Sequence, residues 1–257
     1  MTKKLYLVLG VILVASLVLS ACQQKAAPTE APVVEPTAVP ATEVPPTAVP
    51  PTEPPAKVYK VCQVTDTGGI DDKSFNATAW KGVEEAKAEF GVEGKYLESQ
   101  QQTDYDKNIN AFIEDGCDLI ITVGFLLGDA TKASAEANPD VNYSIVDYGY
   151  DPVIPNVLAQ VFNTDEAAFL AGYVAAATTK TGKVATFGGI QIPTVTVFMD
   201  GFWYGVQYYN EKKGANVEVL GWDPATQTGQ FTGNFESLDD GRTLGQTFMD
   251  EGADIIM

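Results

Sequence analysis

The sequence predicts an α/β fold made of two doubly wound parallel-sheet lobes joined by a hinge. From Val58 onward, strand-like apolar runs alternate with stretches of helical spacing, which is the pattern of parallel sheets covered by helices on both faces. Runs such as DLIITVG are apolar at consecutive positions, as expected for strands that are buried on both faces. The alternation fills two successive arrays of about 100 residues, and each is the size of one small domain.

The first array, residues 58–163, begins with the predicted strand VYKVCQVTD. Apolar residues at three-to-four spacing predict the helix that follows it: Ala77, Trp80, Val83, Ala86 and Phe90. KYLES is a weak second strand, and a helix over Asp104–Glu114 connects it to the strand DLIITVG. A helix over Gly128–Asn138 ends before Pro139, and NYSIVDY and VLAQVFN complete the lobe as strands.

The second array, residues 164–257, continues the alternation after a crossing near Asn163–Asp165. It contains a strongly apolar helix over Asp165–Thr179, the strand KVATFGG, a helix over about Val195–Glu211 and the strand VEVLGW. A helix over about Asp240–Glu251 and the short run ADIIM follow. Because parallel sheets need complete crossover units, we expect this lobe to be truncated at Met257.

The N-terminal segment 1–22 is predicted to be a lipoprotein signal peptide. Two lysines precede an apolar run over Leu5–Leu19, and small residues then lead to a cysteine in LSAC. LSAC is typical of a bacterial lipobox, which implies cleavage before Cys22 and a diacylglycerol group on its thiol. An uncleaved membrane anchor is the alternative, and both interpretations place the rest of the chain at the extracytoplasmic face of the cell membrane.

A proline-rich tether is predicted over residues 23–57. This segment holds ten of the fifteen prolines of the chain and repeats the motif PTAVP. It lacks the large apolar side chains that would offset the entropy of ordering it, and prolines favour extended conformations. We therefore expect it to separate the folded lobes from the membrane.

The charge and the absence of histidine exclude several classes of function. With a formal net charge of −18, the chain repels phosphate backbones, so nucleic acid is not an expected partner. No histidine is present, which removes Ser-His-Asp and Cys-His catalysis and imidazole metal sites. A nucleophile elbow and a phosphate-binding loop are also missing. These observations argue against an enzyme, and no cofactor is expected.

Two cysteines, Cys62 and Cys117, remain after Cys22. Each lies in or beside an apolar strand-like run, where a cysteine usually behaves as a small buried hydrophobic residue. An exported protein could form a disulfide between them. Their positions look offset along the two strands, so the sequence favours two unpaired thiols.

Candidate ligand-binding residues follow the predicted strands, because ligands of open parallel sheets bind beyond the carboxyl ends of the strands. Asp66 is the last residue of VYKVCQVTD, Gly124 is the last residue of DLIITVG, and Asp147 lies at the end of NYSIVDY. Phe75 lies between polar residues without an obvious core partner, although a role in packing under its own helix stays open. Carboxylates, aromatic rings and close-approach glycines suit a neutral polyhydroxylated or heteroaromatic ligand better than a phosphate.

Structural roles compete with binding for several of these residues. Asp71, Asp72 and Ser74 are suitable residues for capping the helix that follows them. Gly68-Gly69 is typical of a turn, and the spacing of acids in DTGGIDD does not match a calcium loop. Phe198 and Phe202 lie four residues apart on a predicted helix, which indicates core packing.

Four segments also carry a resemblance to a known family: DTGGIDDKSFNATAWKGVEEA, AFLAGYVAAATTKTGKVATFGG, PTVTVFMDGFWYGV and NFESLDDGRTLGQTFMDEGADIIM. In this order they resemble the basic membrane protein family of bacterial substrate-binding lipoproteins, which includes purine nucleoside receptor lipoproteins. The resemblance implies a type I periplasmic-binding-protein fold whose lobes close on a nucleoside and deliver it to an ABC permease. It also implies that chains of this family continue past the position of Met257.

The same resemblance implies roles for individual residues. Asp66 would contact the base, and Phe75 would stack on the purine with Asn76 beside it. Phe235, in NFESLDDG, would cover the other face of the base, and Asp147 would reach the ribose hydroxyls. The predicted function is a lipid-anchored solute-binding protein of an ABC importer, with a purine nucleoside as ligand. A sensor or adhesin of the same fold, and a binder of another polar solute such as a sugar, are the alternatives.

Overall fold

The computed structural model describes residues 57–257. The predicted signal peptide, the lipidation site Cys22 and the tether up to residue 56 lie outside the described residues. Within residues 57–257, none of the helices combines the length and the apolar character needed to span a membrane.

A five-stranded sheet is formed by the first part of the described chain. Its elements are β1 (Lys60–Val64), α1 (Phe75–Phe90), β2 (Glu93–Leu97), α2 (Tyr105–Glu114), β3 (Leu119–Val123), α3 (Gly128–Ala137), β4 (Asn142–Val146) and β5 (Val157–Gln160). The strand order is β2-β1-β3-β4-β5, and all neighbouring strands are parallel. In this order β2 lies on one side of β1, and β3 and β4 lie on the other, so the chain reverses its direction across the sheet after β2. Right-handed crossovers therefore place α1 on one face of the sheet and α2 and α3 on the other.

The core of this part lies between the sheet and helices α2 and α3. Val64, Ile120 and Ile145 project from three neighbouring strands and are fully buried, as is Ile109 of α2. Each such side chain contributes roughly 1.5–3 kcal/mol through burial of apolar surface. This core holds the carboxyl ends of β1, β3 and β4 in fixed positions.

A second, three-stranded parallel sheet follows. The elements are α4 (Thr164–Thr178), β6 (Lys183–Ala185), α5 (Pro193–Lys213), β7 (Glu218–Leu220), β8 (Trp222–Asp223), β9 (Thr228–Gly229), α6 (Leu238–Asp250) and β10 (Ile255–Ile256). The strand order is β10-β6-β7, which puts α5 and α6 on opposite faces. Val184 and Phe202 pack on the α5 side, and Ala185 and Phe248 pack on the α6 side. The α/β fold with parallel sheets that the sequence predicts is confirmed.

The small hairpin β8–β9 was not predicted. The sequence places Trp222 at the end of the strand VEVLGW, but Gly221 has a φ of 85° and interrupts that strand. Trp222 and Asp223 then pair in antiparallel fashion with Thr228 and Gly229. Two residues per strand are too few to give a recognisable alternation of apolar and polar side chains.

A disulfide joins Cys62 and Cys117, so the prediction of two unpaired thiols is wrong. The predicted burial of both residues is confirmed. The offset along the strands is real, because Cys62 lies opposite Ile120 in the register of β1 and β3. However, Cys117 belongs to the loop before β3, and this loop brings the two Cα atoms within 6.1 Å of each other.

Helices α4 and α5 pack closely through glycines, and this contact gives a testable prediction. A Cβ atom on Gly205 of α5 would clash with the carbonyl oxygen of Phe169 and lie 2.9 Å from the backbone nitrogen of Tyr173 in α4. We expect Gly205→Ala to lower the free energy of unfolding by about 1–3 kcal/mol, as overpacking does. Gly245→Ala in α6 is the matched control, because a Cβ there meets no atom of residues 57–257 within 4 Å.

Urea denaturation of both variants measures the difference. The control is expected to gain about 0.5–1 kcal/mol from the higher helix propensity of alanine. Equal gains at the two positions would show that α4 and α5 are not packed backbone to backbone.

Candidate functional site

A cavity of about 450 Å³ lies where the carboxyl ends of the two sheets face each other. Its lining comes from the segments after β1, β3, β4 and β6, from the first turns of α5, from the loop before α6 and from Met257. All the ligand-site residues named from the sequence line it: Asp66, Phe75, Asn76, Gly124, Asp147 and Phe235. The volume falls within the usual range of small-molecule sites, which is about 300–1,000 Å³.

Asp66 is the most buried carboxylate of the cavity, with 8% of its surface exposed. Its Oδ1 atom accepts hydrogen bonds from the Gly68 backbone N–H at 2.9 Å and from Asn76 Nδ2 at 2.7 Å. Burial raises the pKa of the Asp66 carboxyl, and these two hydrogen bonds oppose the shift. The Oδ2 atom makes no hydrogen bond within residues 57–257 and is free to accept one from a ligand.

Asn76 holds Asp66 in place. Besides its bond to Asp66, its Nδ2 group donates to Asp72 Oδ2 at 3.2 Å, and its Oδ1 atom accepts from the Asp66 backbone N–H at 3.3 Å. The side chain is 1% exposed. Since both amide protons and the oxygen already have partners, Asn76 can serve the site by orienting Asp66.

Gly124 keeps the space beside Asp66 open. Its φ is 117°, a conformation that residues with a side chain rarely adopt. A Cβ atom at this position would lie 3.2 Å from Asp66 Oδ2 and 3.5 Å from the ring of Phe75. The glycine therefore leaves an opening bordered by a carboxylate oxygen and an aromatic ring, and Phe75 itself is half-buried there.

Asp147 lies on the same side of the cavity, directly after β4. Its φ is 63°, and its backbone N–H donates to the Gln160 carbonyl oxygen at 2.9 Å. Burial raises the pKa of the Asp147 carboxyl. Its carboxylate makes no hydrogen bond within the described part of the chain. A residue with a left-handed backbone conformation, whose half-buried carboxylate has no hydrogen-bond partner, is characteristic of a binding position.

Phe235 comes from the opposite side, on the loop before α6. This loop runs beside the end of β6, where the Thr232 N–H donates to the Gly188 carbonyl at 3.0 Å and the Gly233 N–H donates to Gly189 at 2.7 Å. A Cβ atom on Gly189 would overlap the Phe235 ring, so the ring lies directly over this glycine. The two glycines after β6 thus position the aromatic side chain.

Several residues of the cavity were not predicted from the sequence. The prediction of core packing holds for Phe202, which is 1% exposed, but is wrong for Phe198, which is 39% exposed and lines the cavity. Phe198 lies in the first two turns of α5. The other unpredicted lining residues are mainly apolar: Leu126, Ile192, Val195 and Met199. Their positions depend on how the two sheets face each other, which no local pattern reveals.

The predicted cap of α1 is made by Asp72 and not by Ser74. Ser74 occupies the N-cap position, but its side chain makes no hydrogen bond to the first turn of α1. The prediction that Ser74 caps this helix is therefore wrong. Asp72 accepts from the backbone N–H groups of Ser74 at 3.0 Å, Asn76 at 2.7 Å and Ala77 at 3.1 Å. Burial alone would raise the pKa of the Asp72 carboxyl, but these donors together lower it below its usual value.

Removal of this cap is expected to destabilise the protein in a pH-dependent way. Asp72→Ala should lower the free energy of unfolding by about 1–2 kcal/mol at neutral pH, as loss of an N-cap does. Because the folded-state pKa is lowered, the contribution is present above the unfolded pKa, near 3.9, and disappears as the pH falls through the folded value. Asp71→Ala is the control, since Asp71 is exposed. Equal losses for both variants in urea titrations would contradict the capping role.

The chemistry of the cavity is acidic and aromatic. Among residues 57–257, the charged side chains that line it are Asp66, Asp72 and Asp147, and no lysine or arginine of this part of the chain lines it. Phe75, Phe198 and Phe235 supply aromatic surface. Carboxylates accept hydrogen bonds from hydroxyl and amino groups and repel phosphates, and aromatic faces stack on flat rings. The site can hold a neutral ring that carries N–H or O–H donors.

A family model matches almost the whole described chain, over residues 59–257. It is the Bmp model, for PnrA-like ABC transporter substrate-binding proteins. The chain belongs to the Bmp family. This agrees with the resemblance that the sequence segments carry.

Relatives of known description support the Bmp assignment. Basic membrane protein A of Borreliella burgdorferi is 34% identical over 203 residues, which are 78% of this chain and 56% of that protein. The ABC transporter nucleoside-binding protein BmpA of Lactococcus lactis is 33% identical over 204 residues, which are 77% of this chain and 54% of that protein. The chain thus spans about half the length of the curated relatives it matches.

A solved structure supports the fold. The solute-binding protein of an ABC transporter system from Aeropyrum pernix K1 superimposes with a TM-score of 0.70 at 30% sequence identity. The match covers 77% of this chain and 54% of that one. This Bmp chain therefore has the fold of ABC solute-binding proteins over the part that the two share.

Proposed function

We propose that this protein is the solute-binding component of an ABC importer and that it captures a purine nucleoside in the cavity. The observation that carries the proposal is the lining that residues 57–257 supply: aromatic side chains on both sides, carboxylates with free oxygens, and no lysine or arginine. Membership of the Bmp family supports the transport role, and the nucleoside-binding relative from Lactococcus lactis supports the ligand class. The function is capture and delivery without chemical conversion.

In this proposal the base lies between Phe75 and Phe235. The two rings belong to opposite sides of the cavity, so a flat purine can contact one with each face. Each stack contributes about 1–3 kcal/mol and depends little on the identity of the base. Affinity for the ring system therefore comes mainly from these two side chains.

The carboxylates supply orientation. Asp66 Oδ2, held by Asn76 and left open by Gly124, accepts an N–H of the base. Asp147 accepts ribose hydroxyls from the neighbouring strand end. A nucleotide would bring its phosphate close to these acids without a balancing cation, so nucleosides are preferred over nucleotides.

Closure and membrane attachment complete the proposal. The lobes 58–163 and 164–257 close about the crossing near Asn163 and remove water from the bound nucleoside. The closed form then docks on an ABC permease. Lipidation at Cys22 and the tether 23–57 hold the lobes at the extracytoplasmic face of the membrane, as the LSAC motif indicates.

Calorimetry of the protein at its full length tests the ligand class. The panel contains adenosine, guanosine, inosine, uridine, AMP, ribose, glucose and several amino acids. We expect one-to-one binding of at least one purine nucleoside, with AMP binding at least about tenfold weaker, a difference of about 1.4 kcal/mol. Tight binding of a sugar, with none of any nucleoside, would disprove the proposal.

A further inference from the structure

One residue of the cavity lining carries a buried hydroxyl that has no hydrogen-bond partner. Thr186 directly follows β6, lines the cavity and is 0% exposed. In residues 57–257, three buried side-chain atoms lack a partner: Gln63 Oε1, Tyr105 OH and Thr186 Oγ1. Of these three residues, Thr186 is the one that lines the cavity. Because an unpaired buried hydroxyl is destabilising, its position at a cavity points to a ligand as its partner.

Backbone hydrogen bonds hold Thr186 on both sides. Its N–H donates to the Leu220 carbonyl oxygen at 3.0 Å, and the N–H of Phe187 donates to the Met257 carbonyl oxygen at 3.3 Å. The pairing of β6 with its two neighbours thus continues past the end of the strand, and side chains keep alternating between the two faces of the sheet. Val184 packs on the α5 side, so Thr186, two residues later, projects to the same side. The Thr186 side chain therefore faces the first turns of α5.

The cavity lining on that side is apolar around Thr186. Gly188 follows on the same face, and a Cβ atom there would clash with the side chain of Val195 in α5. Val195, Phe198 and Met199 line the cavity, and their side chains offer no oxygen or nitrogen acceptor. Met199 has three rotatable side-chain bonds, so it can turn aside and admit a ligand atom. The acceptor that the Thr186 hydroxyl needs can thus come from the cavity.

The other polar side chains of the lining leave the role of a buried donor to Thr186. The three lining aspartates accept hydrogen bonds when ionised and do not donate them. Asn76 already uses both of its amide protons. The hydroxyls of Ser74 and Thr194 belong to residues that are at least partly exposed, so water can satisfy them. A heteroaromatic ring carries acceptor nitrogens as well as donor groups, and a nitrogen that loses its water needs a donor in the site.

We propose that Thr186 contacts the ligand directly, with its hydroxyl donating a hydrogen bond to an acceptor nitrogen of the purine ring. The ring then meets a donor from the three-stranded part of the fold and an acceptor, Asp66, from the five-stranded part. A ring without this nitrogen leaves the hydroxyl unpaired and binds less tightly. Thr186 is thus a specificity-determining residue. The inference rests on the proposed nucleoside site and identifies a feature of the ring that this site selects.

Nucleoside affinities of Thr186→Val test the contact, because valine has nearly the same shape and lacks the hydroxyl. Calorimetry uses adenosine, guanosine and inosine with their 7-deaza and 3-deaza analogues, in which C–H replaces one ring nitrogen. We expect Thr186→Val to raise the dissociation constant of the tightest-binding nucleoside about tenfold, which is about 1.4 kcal/mol, and Thr186→Ser to stay within about threefold of wild type. One of the two deaza analogues should bind the wild-type protein about tenfold more weakly, yet bind Thr186→Val as tightly as its parent nucleoside does.

Thr122→Val is the matched control. Thr122 is also 0% exposed, but its hydroxyl accepts from Thr131 Oγ1 at 2.8 Å, and Thr122 does not line the cavity. We expect this variant to keep wild-type affinity and to unfold at a lower urea concentration, because it loses a hydrogen bond. Thr186→Val should unfold at no lower urea concentration than wild type, since its hydroxyl has no hydrogen bond to lose. This contrast separates lost binding from lost stability.

Two results would overturn the Thr186 contact while the proposed function stands. One is wild-type affinity in Thr186→Val. The other is a loss for both deaza analogues that multiplies with the loss caused by Thr186→Val, because the hydroxyl would then act independently of both ring nitrogens. Absence of nucleoside binding by the wild-type protein would instead overturn the proposed function, and the contact with it.

Discussion

Replacing both Phe75 and Phe235 by alanine is expected to weaken purine nucleoside binding by about 2–6 kcal/mol, because each base stack contributes about 1–3 kcal/mol. Each single variant should lose roughly half of this amount. The two rings lie on opposite sides of the cavity and have separate supports, Gly124 beside Phe75 and Gly189 beneath Phe235. Neither substitution should therefore rearrange the other ring.

The measurement is calorimetric titration of the wild-type, single and double variants with the tightest-binding nucleoside of the panel. Phe90→Ala is the matched control, since Phe90 is 72% exposed at the end of α1 and does not line the cavity. Urea denaturation of each variant separates lost affinity from lost stability. A double variant that binds as tightly as the Phe90 control would refute the stacking role of both rings.

Loss of the disulfide between Cys62 and Cys117 is expected to lower the free energy of unfolding by about 4 kcal/mol. The estimate follows from the entropy that a cross-link removes from the unfolded chain, for a sequence separation of 55 residues. The bond ties the middle of β1 to the loop before β3, and the carboxyl ends of these strands carry Asp66 and Gly124. Reduction should therefore also increase amide hydrogen exchange in both strands.

Unfolding in urea with and without a thiol reductant measures the contribution of the bond. The variant Cys62→Ala/Cys117→Ala is the control, because its stability should not depend on the reductant. Mass spectrometry of unreduced, digested protein should find the two cysteine peptides linked. Separate peptides carrying alkylated thiols would show that the bond is absent.

The sequence predicts most of the fold because its strongest signals are local. Buried parallel strands such as β3 are apolar at consecutive positions, and helices such as α2 repeat apolar residues at Ile109, Phe112 and Ile113. These patterns place every long element within a few residues of its observed bounds. The hairpin β8–β9 was missed because it depends on the positive φ of Gly221 and on two residues per strand.

The other errors concern contacts that the spacing of residues along the chain does not show. The disulfide was judged from strand offset, but it depends on the path of the loop that carries Cys117. Ser74 has the right identity and position for a cap, yet Asp72 reaches the same N–H groups from two residues earlier. Helical spacing pairs Phe198 with Phe202, but only Phe202 lies above the second sheet. Spacing along one helix does not show which of its residues line a cavity.

The candidate site could be located from the sequence because strand ends converge. Asp66, Gly124 and Asp147 each follow a parallel strand, and parallel strands bring their carboxyl ends to one edge. The resemblance to the family indicated Phe75, Asn76 and Phe235, and the structure brings them to the same cavity. The role of Asn76 in orienting Asp66 follows only from the hydrogen bonds of its side chain, which no sequence pattern shows.

Photo-cross-linking with 8-azidoadenosine tests the central claim most directly, because the azide reacts with residues that contact the base. If adenosine binds as proposed, the label should fall on the peptides that contain Phe75 and Phe235. An excess of unlabelled adenosine should suppress it. Labelling of neither peptide, or labelling that adenosine does not suppress, would contradict the placement of a purine nucleoside between these two rings.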